Sequence, residues 1–189
     1  MNEIVMQGIL HILDLKGYDH LLFLLVLVAP YQFKDFKKIL MLVTAFTVGH
    51  SITLAVSSLN LFYISGDLIE IFIPVTILLT AIFNVFIPSK NKQNNSLVYL
   101  LVLFFGFIHG MGFSSYFKII AHKDNFLSNL LQFNVGIELG QIMIILILLI
   151  LNAVAKKIPG VSQRYWSHYL NYIGIVLSLW MIWDRLMAN

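Results

Sequence analysis

The sequence predicts an all-α membrane protein, a polytopic bundle of about six transmembrane helices preceded by a short N-terminal interfacial or re-entrant helix. Composition is the first observation: 59% of the 189 residues are hydrophobic and 11% are charged, whereas soluble domains average about 45–50% and about 25%. The second is a mean hydropathy of +0.87. The third is that long apolar stretches recur along the whole chain between short polar segments, as in a single transmembrane domain.

Most of the apolar stretches reach the length of about 20 residues that a helix needs to cross a hydrocarbon core of about 30 Å. These predicted spans are residues 39–59, 68–87, 97–117, 130–155 and 169–186. Polar or helix-breaking segments, at residues 34–38, 88–95 and 156–160, separate several of them. The five predicted spans account for all the predicted transmembrane helices except the first.

The start of the chain predicts a broken segment. Residues 21–30 are strongly apolar but short, so we extend the first span to residues 18–31. Upstream, apolar residues recur at helical spacing over residues 2–14, which predicts the short N-terminal helix, with a break near Gly17. Because a non-helical break at membrane depth must be buried in protein or line a polar cavity, this break indicates a site.

The basic residues predict an orientation. If Tyr18 lies outside, eight of the 12 basic residues fall on one side of the membrane and four on the other. The first group is Lys34, Lys37, Lys38, Lys90, Lys92, Lys156, Lys157 and Arg164, and the second is Lys16, Lys118, Lys123 and Arg185. By the positive-inside rule, the first side is cytoplasmic. We therefore expect a protein of a bacterial-type cytoplasmic (inner) membrane, with both termini outside. Because basic loop residues explain the net charge of +3, we expect no nucleic-acid partner.

Ionisable residues inside the predicted spans are the candidates for function, because each costs at least about 2.5–3.5 kcal/mol to insert. The predicted metal ligands are His11, Asp19, His20, His50, His109 and Glu138. The predicted supporting residues are Asp14, Thr47, Ser51, Asn134 and Gln141. With the orientation above, the candidates fall in the outer half of the bundle. Glu70 marks either the site or only a helix end, and His122 and His168 fall in or near loops.

Two readings of these residues compete. A single buried histidine is more often a hydrogen-bonded structural residue than a ligand, and a threonine stripe more often joins helices. Helical spacing nevertheless gathers Thr47, His50 and Ser51 on one face, and Glu138 and Gln141 on another. Several histidines and carboxylates at one depth on different helices favour a shared site over separate structural roles.

The ligand chemistry narrows the metal. The chain contains no cysteine, which excludes disulfides, thiolate metal sites and cysteine nucleophiles. Neutral imidazoles combined with carboxylates suit Ni, Co or Zn better than Cu(I), which prefers Cys and Met. The expected ligand is therefore a divalent transition metal ion.

Four stretches resemble the HupE/UreJ family of small membrane proteins: HILDLKGYDHLLF from His11, FTVGHSITL from Phe46, FGFIHGMGF from Phe105 and FNVGIELGQ from Phe133. The resemblance covers nearly the whole chain and implies nickel or cobalt uptake. It implies metal-linked roles for His11, Asp19, His20, His109 and Glu138. The chain departs from the family pattern, since seven residues separate His11 from Asp19, two more than usual. His109–Gly110 and Gly136–Glu138 also fall on separate predicted helices.

Three functions remain open from the sequence. The first is a secondary permease or binding protein for a divalent metal. The second is an intramembrane Zn-type hydrolase, with Glu138 or Asp19 as general base and a lipid or lipid-anchored substrate at the outer leaflet. The third is a sensor or accessory subunit in which the cluster is a hydrogen-bond network. The expected partners are the lipid bilayer and the metal ion, and the oligomeric state is left open.

Overall fold

The computed structural model describes residues 2–15, 17–61, 64–86, 96–121 and 125–188, and over these residues the regular structure is all helical, as predicted. The helices are α1 (Glu3–Leu13), α2 (Asp19–Val28), α3 (Phe36–Ser58), α4 (Gly66–Phe86), α5 (Ser96–Gly112), α6 (Ser114–Ile120), α7 (Phe126–Ala155) and α8 (Gln163–Ala188). A 3₁₀ turn at Phe33–Asp35 precedes α3. The predicted loop residues Lys16, Lys90, Lys92, His122 and Lys123 lie outside the described residues.

Three segments of the described chain are long and apolar enough to cross a membrane: Phe33–Ser58, Gly66–Phe86 and Phe126–Ala155. The pair α5 and α6 adds a fourth if it counts as one bent span, whereas α1 and α2 are apolar but short. The final helix, α8, has 26 residues, but polar side chains such as Arg164 and Asn171 lower its hydropathy. A total of six spans therefore stays a prediction.

The segment predicted as one span at residues 97–117 is divided in the structure. Helix α5 ends at Gly112, and α6 leaves it at an angle of 59°. Phe113 occupies the break, and its ring centroid lies 3.7 Å from that of His11. The glycines Gly110 and Gly112 weaken the helix just before this point, because glycine has the greatest conformational freedom of any residue.

Helices α1 and α2 follow one another along α7. Gly136 of α7 lies against the backbone of Val5, and further along α7 the Asn152 amide donates to the carbonyl of Tyr31 at 3.2 Å. The chain from Val5 to Tyr31 therefore runs in the same direction as α7. The predicted N-terminal helix is present, and the break between α1 and α2 interrupts a continuous path beside α7.

Close packing of α3 against α5 brings their histidines side by side. A Cβ at Gly106 of α5 would lie 2.2 Å from the carbonyl oxygen of Phe46, and one at Gly49 of α3 would lie 2.2 Å from that of Leu103. At these two positions only glycine avoids a clash with the neighbouring backbone. Small residues commonly allow such close approach between membrane helices. His50 and His109 consequently face the same part of the bundle.

Side-chain amides surround the end of α2, which we call the inner end of the bundle. Asn84 of α4 donates to the carbonyl of Val26 at 2.6 Å, and Gln163 of α8 donates to that of Ala29 at 3.2 Å. Asn152 of α7 reaches Tyr31, and its own oxygen accepts from the Trp166 indole at 2.8 Å. These bonds satisfy carbonyls that a helix end leaves without intrahelical partners. They fix α2 at the end opposite its histidine.

Candidate metal centre

Four histidines from four helices meet inside the bundle: His11 of α1, His20 of α2, His50 of α3 and His109 of α5. We call them the histidine cluster. The ring centroids of His11 and His20 are 4.6 Å apart, those of His11 and His50 5.8 Å, and those of His20 and His109 5.4 Å. One ring nitrogen each from His11, His20 and His50 lies within 4.8 Å of the others. The structure thus brings four of the six predicted ligands together.

Two local features of the chain position the cluster. The break between α1 and α2 lets His11, near the end of one helix, turn towards His20, near the start of the next. The glycine contacts between α3 and α5 hold His109 close to the α3 backbone. The side chains of His20, His50 and His109 are buried.

In both His20 and His109, a hydrogen-bond acceptor beside one ring nitrogen orients the ring. Nδ1 of His20 lies 2.9 Å from a carboxylate oxygen of Asp19, and Nδ1 of His109 lies 2.9 Å from the carbonyl oxygen of Phe105. Since a carboxylate and a carbonyl only accept, each Nδ1 carries the proton and donates. The Nε2 atoms are then left with a free lone pair, the arrangement found in metal-bound histidines.

Several ring nitrogens of the histidine cluster lack hydrogen-bond partners, which indicates whether the cluster suits a cation. In the described part of the chain, the buried nitrogens Nε2 of His11, His20 and His109 and both ring nitrogens of His50 have no hydrogen-bond partner. A buried polar atom without a partner costs about 1–3 kcal/mol, so native proteins rarely accumulate several in one place. Neutral imidazole nitrogens are the commonest protein ligands of transition metals, and one ion between His11, His20 and His50 would satisfy a nitrogen of each. The donor set therefore fits a divalent metal.

A cavity of about 260 Å³ leads to the cluster. His11, His20 and His109 line it, together with charged residues. The charged residues are Asp14, Asp19, Glu70 and Arg185. Arg185 of α8 faces Glu70 of α4 at 3.8 Å. Three carboxylates against one guanidinium give the cavity an excess of negative charge, which attracts cations. Asp14, predicted as a supporting residue, and Glu70, left open by the sequence, both line this cavity.

Glu138 lies in a separate polar contact between α7 and α3. Its carboxylate accepts a hydrogen bond from Thr44 at 2.6 Å, and it is not among the described residues that line the cavity. Beside it, Thr47 donates to Gln141 at 2.8 Å, and both of these side chains are buried. Glu138, Thr47 and Gln141 therefore take part in hydrogen bonds between α3 and α7, and among the described residues these side chains form no hydrogen bond with the histidine rings.

The remaining candidates make local contacts. Ser51 donates to the carbonyl of Thr47 within α3 at 2.6 Å. The side-chain oxygen of Asn134 is buried without a hydrogen-bond partner among the described residues. His168 of α8 contacts Tyr172 through its ring edge, with the centroids 6.4 Å apart. His168 is not one of the four clustered histidines.

Aromatic rings, which offer no metal ligand, pack around the cluster, and none of them was among the candidates predicted from the sequence. Phe113 stacks on Phe133 at 5.4 Å and also contacts His11. Phe23 and Phe46 lie beside His109, with ring centroids at 5.4 and 5.0 Å. The available signal was position: Phe23 follows His20 by three residues, and Phe46 precedes His50 by four. One helical turn separates each ring from its histidine.

Comparison with known proteins agrees with the motifs. The chain matches no curated protein sequence and no solved structure. A family model described as HupE / UreJ protein matches residues 1–184, nearly the whole chain. Together with the apolar helices, this match indicates an integral membrane protein from a family associated with nickel and cobalt transport. The chain belongs to the HupE/UreJ family.

Proposed function

We propose that this protein is a permease for a divalent transition metal ion of the nickel or cobalt type. The histidine cluster binds the ion as substrate, and Asp19 and the Phe105 carbonyl hold two of its rings in the binding orientation. The observation that carries the proposal is the convergence of four histidines whose buried Nε2 atoms have no hydrogen-bond partner in the described chain.

Charge supports a divalent cation as the substrate. The cavity contains Asp14, Asp19 and Glu70 against Arg185, so with neutral histidines its formal charge is −3 + 1 = −2. A divalent ion balances this charge, and a site in low dielectric strongly favours such a balance. Ligand softness supports the same choice, since imidazole nitrogens suit nickel, cobalt and zinc and no thiolate is present.

The geometry favours transport over the two alternatives. The two general bases expected for a hydrolase are both engaged, since Glu138 is bonded to Thr44, and one Asp19 oxygen accepts from both the ring and the backbone NH of His20. A purely structural network needs satisfied hydrogen bonds, whereas the ring nitrogens of His50 have none among the described residues. Both features agree with a site built to bind an ion.

Equilibrium binding of Ni²⁺ to the purified protein tests the proposal. We expect one ion per chain, measured by calorimetry and by elemental analysis after desalting, and loss of this ion in His50→Ala and in His109→Ala. His168→Ala is the matched control, because it removes a histidine that lies outside the cluster. Equal binding by all four proteins, or no binding by the wild type, would refute the site.

Uptake by sealed vesicles then separates transport from the alternatives. Wild-type protein in proteoliposomes should carry external Ni²⁺ to an internal fluorescent indicator, and His50→Ala should not. Stoichiometric binding without any uptake would reject the permease and leave a binding or catalytic role for the same histidines.

A further inference from the structure

Two stacked phenylalanine rings close the inner side of the histidine cluster. Phe23 of α2 and Phe46 of α3 have ring centroids 4.8 Å apart and an angle of 27° between their planes. Each side chain is 1% exposed. Phe23 lies one turn beyond His20 towards the inner end of α2, and Phe46 lies one turn before His50 on α3. The pair therefore lies directly between the cluster and the inner end.

Cavities lie on both sides of this pair. The outer one, of about 260 Å³, is lined by His20 and His109. The inner one, of about 570 Å³, lies between α4 and α5 beside the end of α2, and its lining, which includes Leu27 and Phe105, is almost entirely apolar. Along α2 the order is His20, Phe23 and Leu27, and along α5 His109 and Phe105 are one turn apart. At about 1.5 Å per residue, only about 10 Å separates the two cavities.

The material between the cavities is apolar. Val26 lies one turn from Phe23 on α2 and Leu42 one turn from Phe46 on α3, and both are fully buried in the same apolar core, as is Ile77 of α4. An ion crossing this layer would exchange nitrogen ligands for hydrocarbon, and desolvating a charge without a partner costs far more than thermal energy. An ion can pass only if the rings separate.

Polar groups reappear immediately beyond the rings. Thr80 and Asn84 of α4 line the inner cavity. The Asn84 amide donates to the Val26 carbonyl at 2.6 Å and contacts the Asn171 side-chain oxygen at 3.2 Å. Oxygen atoms that can take over part of an ion's coordination thus lie within about two turns of the histidines.

We infer that the Phe23–Phe46 pair is the inner gate of the metal pathway, closed in this structure and separating to release the ion towards the side-chain amides at the inner end of the bundle. This inference rests on the proposed function. The rings need not contact the ion, because their stacking sets how often the pathway opens. Weakening the stack therefore raises the population of the open state and the rate of passage, while the four histidines and their orienting acceptors are unchanged.

Leucine substitutions test the gate. Phe23→Leu and Phe46→Leu keep an apolar side chain but remove the flat stacking surface. Each should retain Ni²⁺ binding by calorimetry, and in proteoliposomes containing the internal indicator each should raise the Ni²⁺ uptake rate about tenfold, as expected for a modest shift between two states. Phe117→Leu is the matched control, since Phe117 is fully buried and contacts Phe126 and Phe133 instead of the stacked pair.

The outcomes separate the two proposals. Wild-type uptake rates in both leucine variants, with binding intact, would overturn the gate and leave the permease standing. Loss of Ni²⁺ binding in Phe23→Leu and Phe46→Leu but not in Phe117→Leu would also overturn the gate, because the rings would then be supports of the binding site. Failure of the wild type itself to bind or carry Ni²⁺ would instead reject the proposed function.

Discussion

Asp19 determines the tautomer and the orientation of its neighbour, His20. By accepting from Nδ1 of His20, its carboxylate fixes the tautomer and the direction of the ring. Partners of this kind raise the basicity of metal-bound histidines as well as orienting them. Asp19 therefore supports the site without needing to contact the ion.

Removing this acceptor should weaken metal binding without abolishing it. Asp19→Ala is expected to lower the affinity for Ni²⁺ by about 10- to 100-fold, the usual effect of losing such a partner. The measurement is a competition titration against a chelator of known affinity. Asp67→Ala, which removes an exposed carboxylate from the first turn of α4, should leave the affinity unchanged. Equal losses in both variants would point to a nonspecific charge effect.

For Glu138 we expect a substitution to leave the affinity for Ni²⁺ unchanged. Because its carboxylate is bonded to Thr44 and the cavity lining among the described residues does not include it, Glu138→Gln should bind Ni²⁺ with wild-type affinity. The glutamine oxygen can still accept from Thr44, so the fold is retained. The same titration checks this, with His50→Ala as the variant that loses binding. If Glu138→Gln loses its ion as well, Glu138 is a ligand in the metal-bound protein.

These two residues also show the limit of sequence reasoning at this scale. Depth along a predicted helix placed His50, His109 and Glu138 in the same half of the bundle. Depth does not specify which neighbour a side chain faces, since that depends on helix rotation and packing. The family resemblance implied the same metal-linked role for Glu138 as for Asp19 and three of the histidines, and only the contacts between α3 and α7 show that Glu138 pairs with Thr44.

At the scale of the helices, glycines set the spacing on which the site depends. Gly106 allows α5 to touch the backbone of Phe46, and this contact fixes His109 relative to α3. The sequence indicated close helix approach from glycines near His109. The break at Phe113 was not predicted, because the segment contains no proline to end the helix and its glycines are also common inside packed membrane helices.

A methyl group at Gly106 should force the two helices apart. A Cβ there would lie 2.2 Å from a backbone oxygen, which no side-chain movement relieves. Gly106→Ala should therefore destabilise the fold by about 1–3 kcal/mol, the usual range for overpacking. Thermal unfolding in detergent measures the loss. Gly66→Ala is the control, since nothing lies within 4 Å of its added Cβ, and equal melting temperatures for the two variants would contradict this packing.

Across the whole molecule, the order of the helices gathers most of the described basic residues at one end of the bundle. The α2 end, the start of α3 and the end of α7 lie at one end of the bundle, where Gln32 accepts from Lys156 at 3.0 Å. That end carries the larger group of basic residues among those described. Composition predicted the fold class, because it depends on a sum over many residues, whereas the orientation indicated by the loop charges stays a prediction. The broken path of α1 and α2 depended on specific contacts with α7.

Cysteine labelling tests this orientation directly. The chain has no native cysteine, so a single introduced one reports its own position. In intact cells, a membrane-impermeant maleimide should label Asn2→Cys at the N-terminus and spare Ser162→Cys at the inner end until the membrane is permeabilised. The reverse pattern would mean that the positive-inside rule fails here and that the cavity faces the cytoplasm.

The most direct test of the metal centre is X-ray absorption spectroscopy of the purified protein loaded with one equivalent of Ni²⁺. Imidazole rings bound to a metal give a characteristic outer-shell scattering pattern. We expect a nitrogen-rich ligand shell around Ni²⁺ with several imidazoles, which is lost in His50→Ala and kept in His168→Ala. A shell of oxygen ligands without imidazole scattering in the wild type would contradict the claim that the histidine cluster binds the ion.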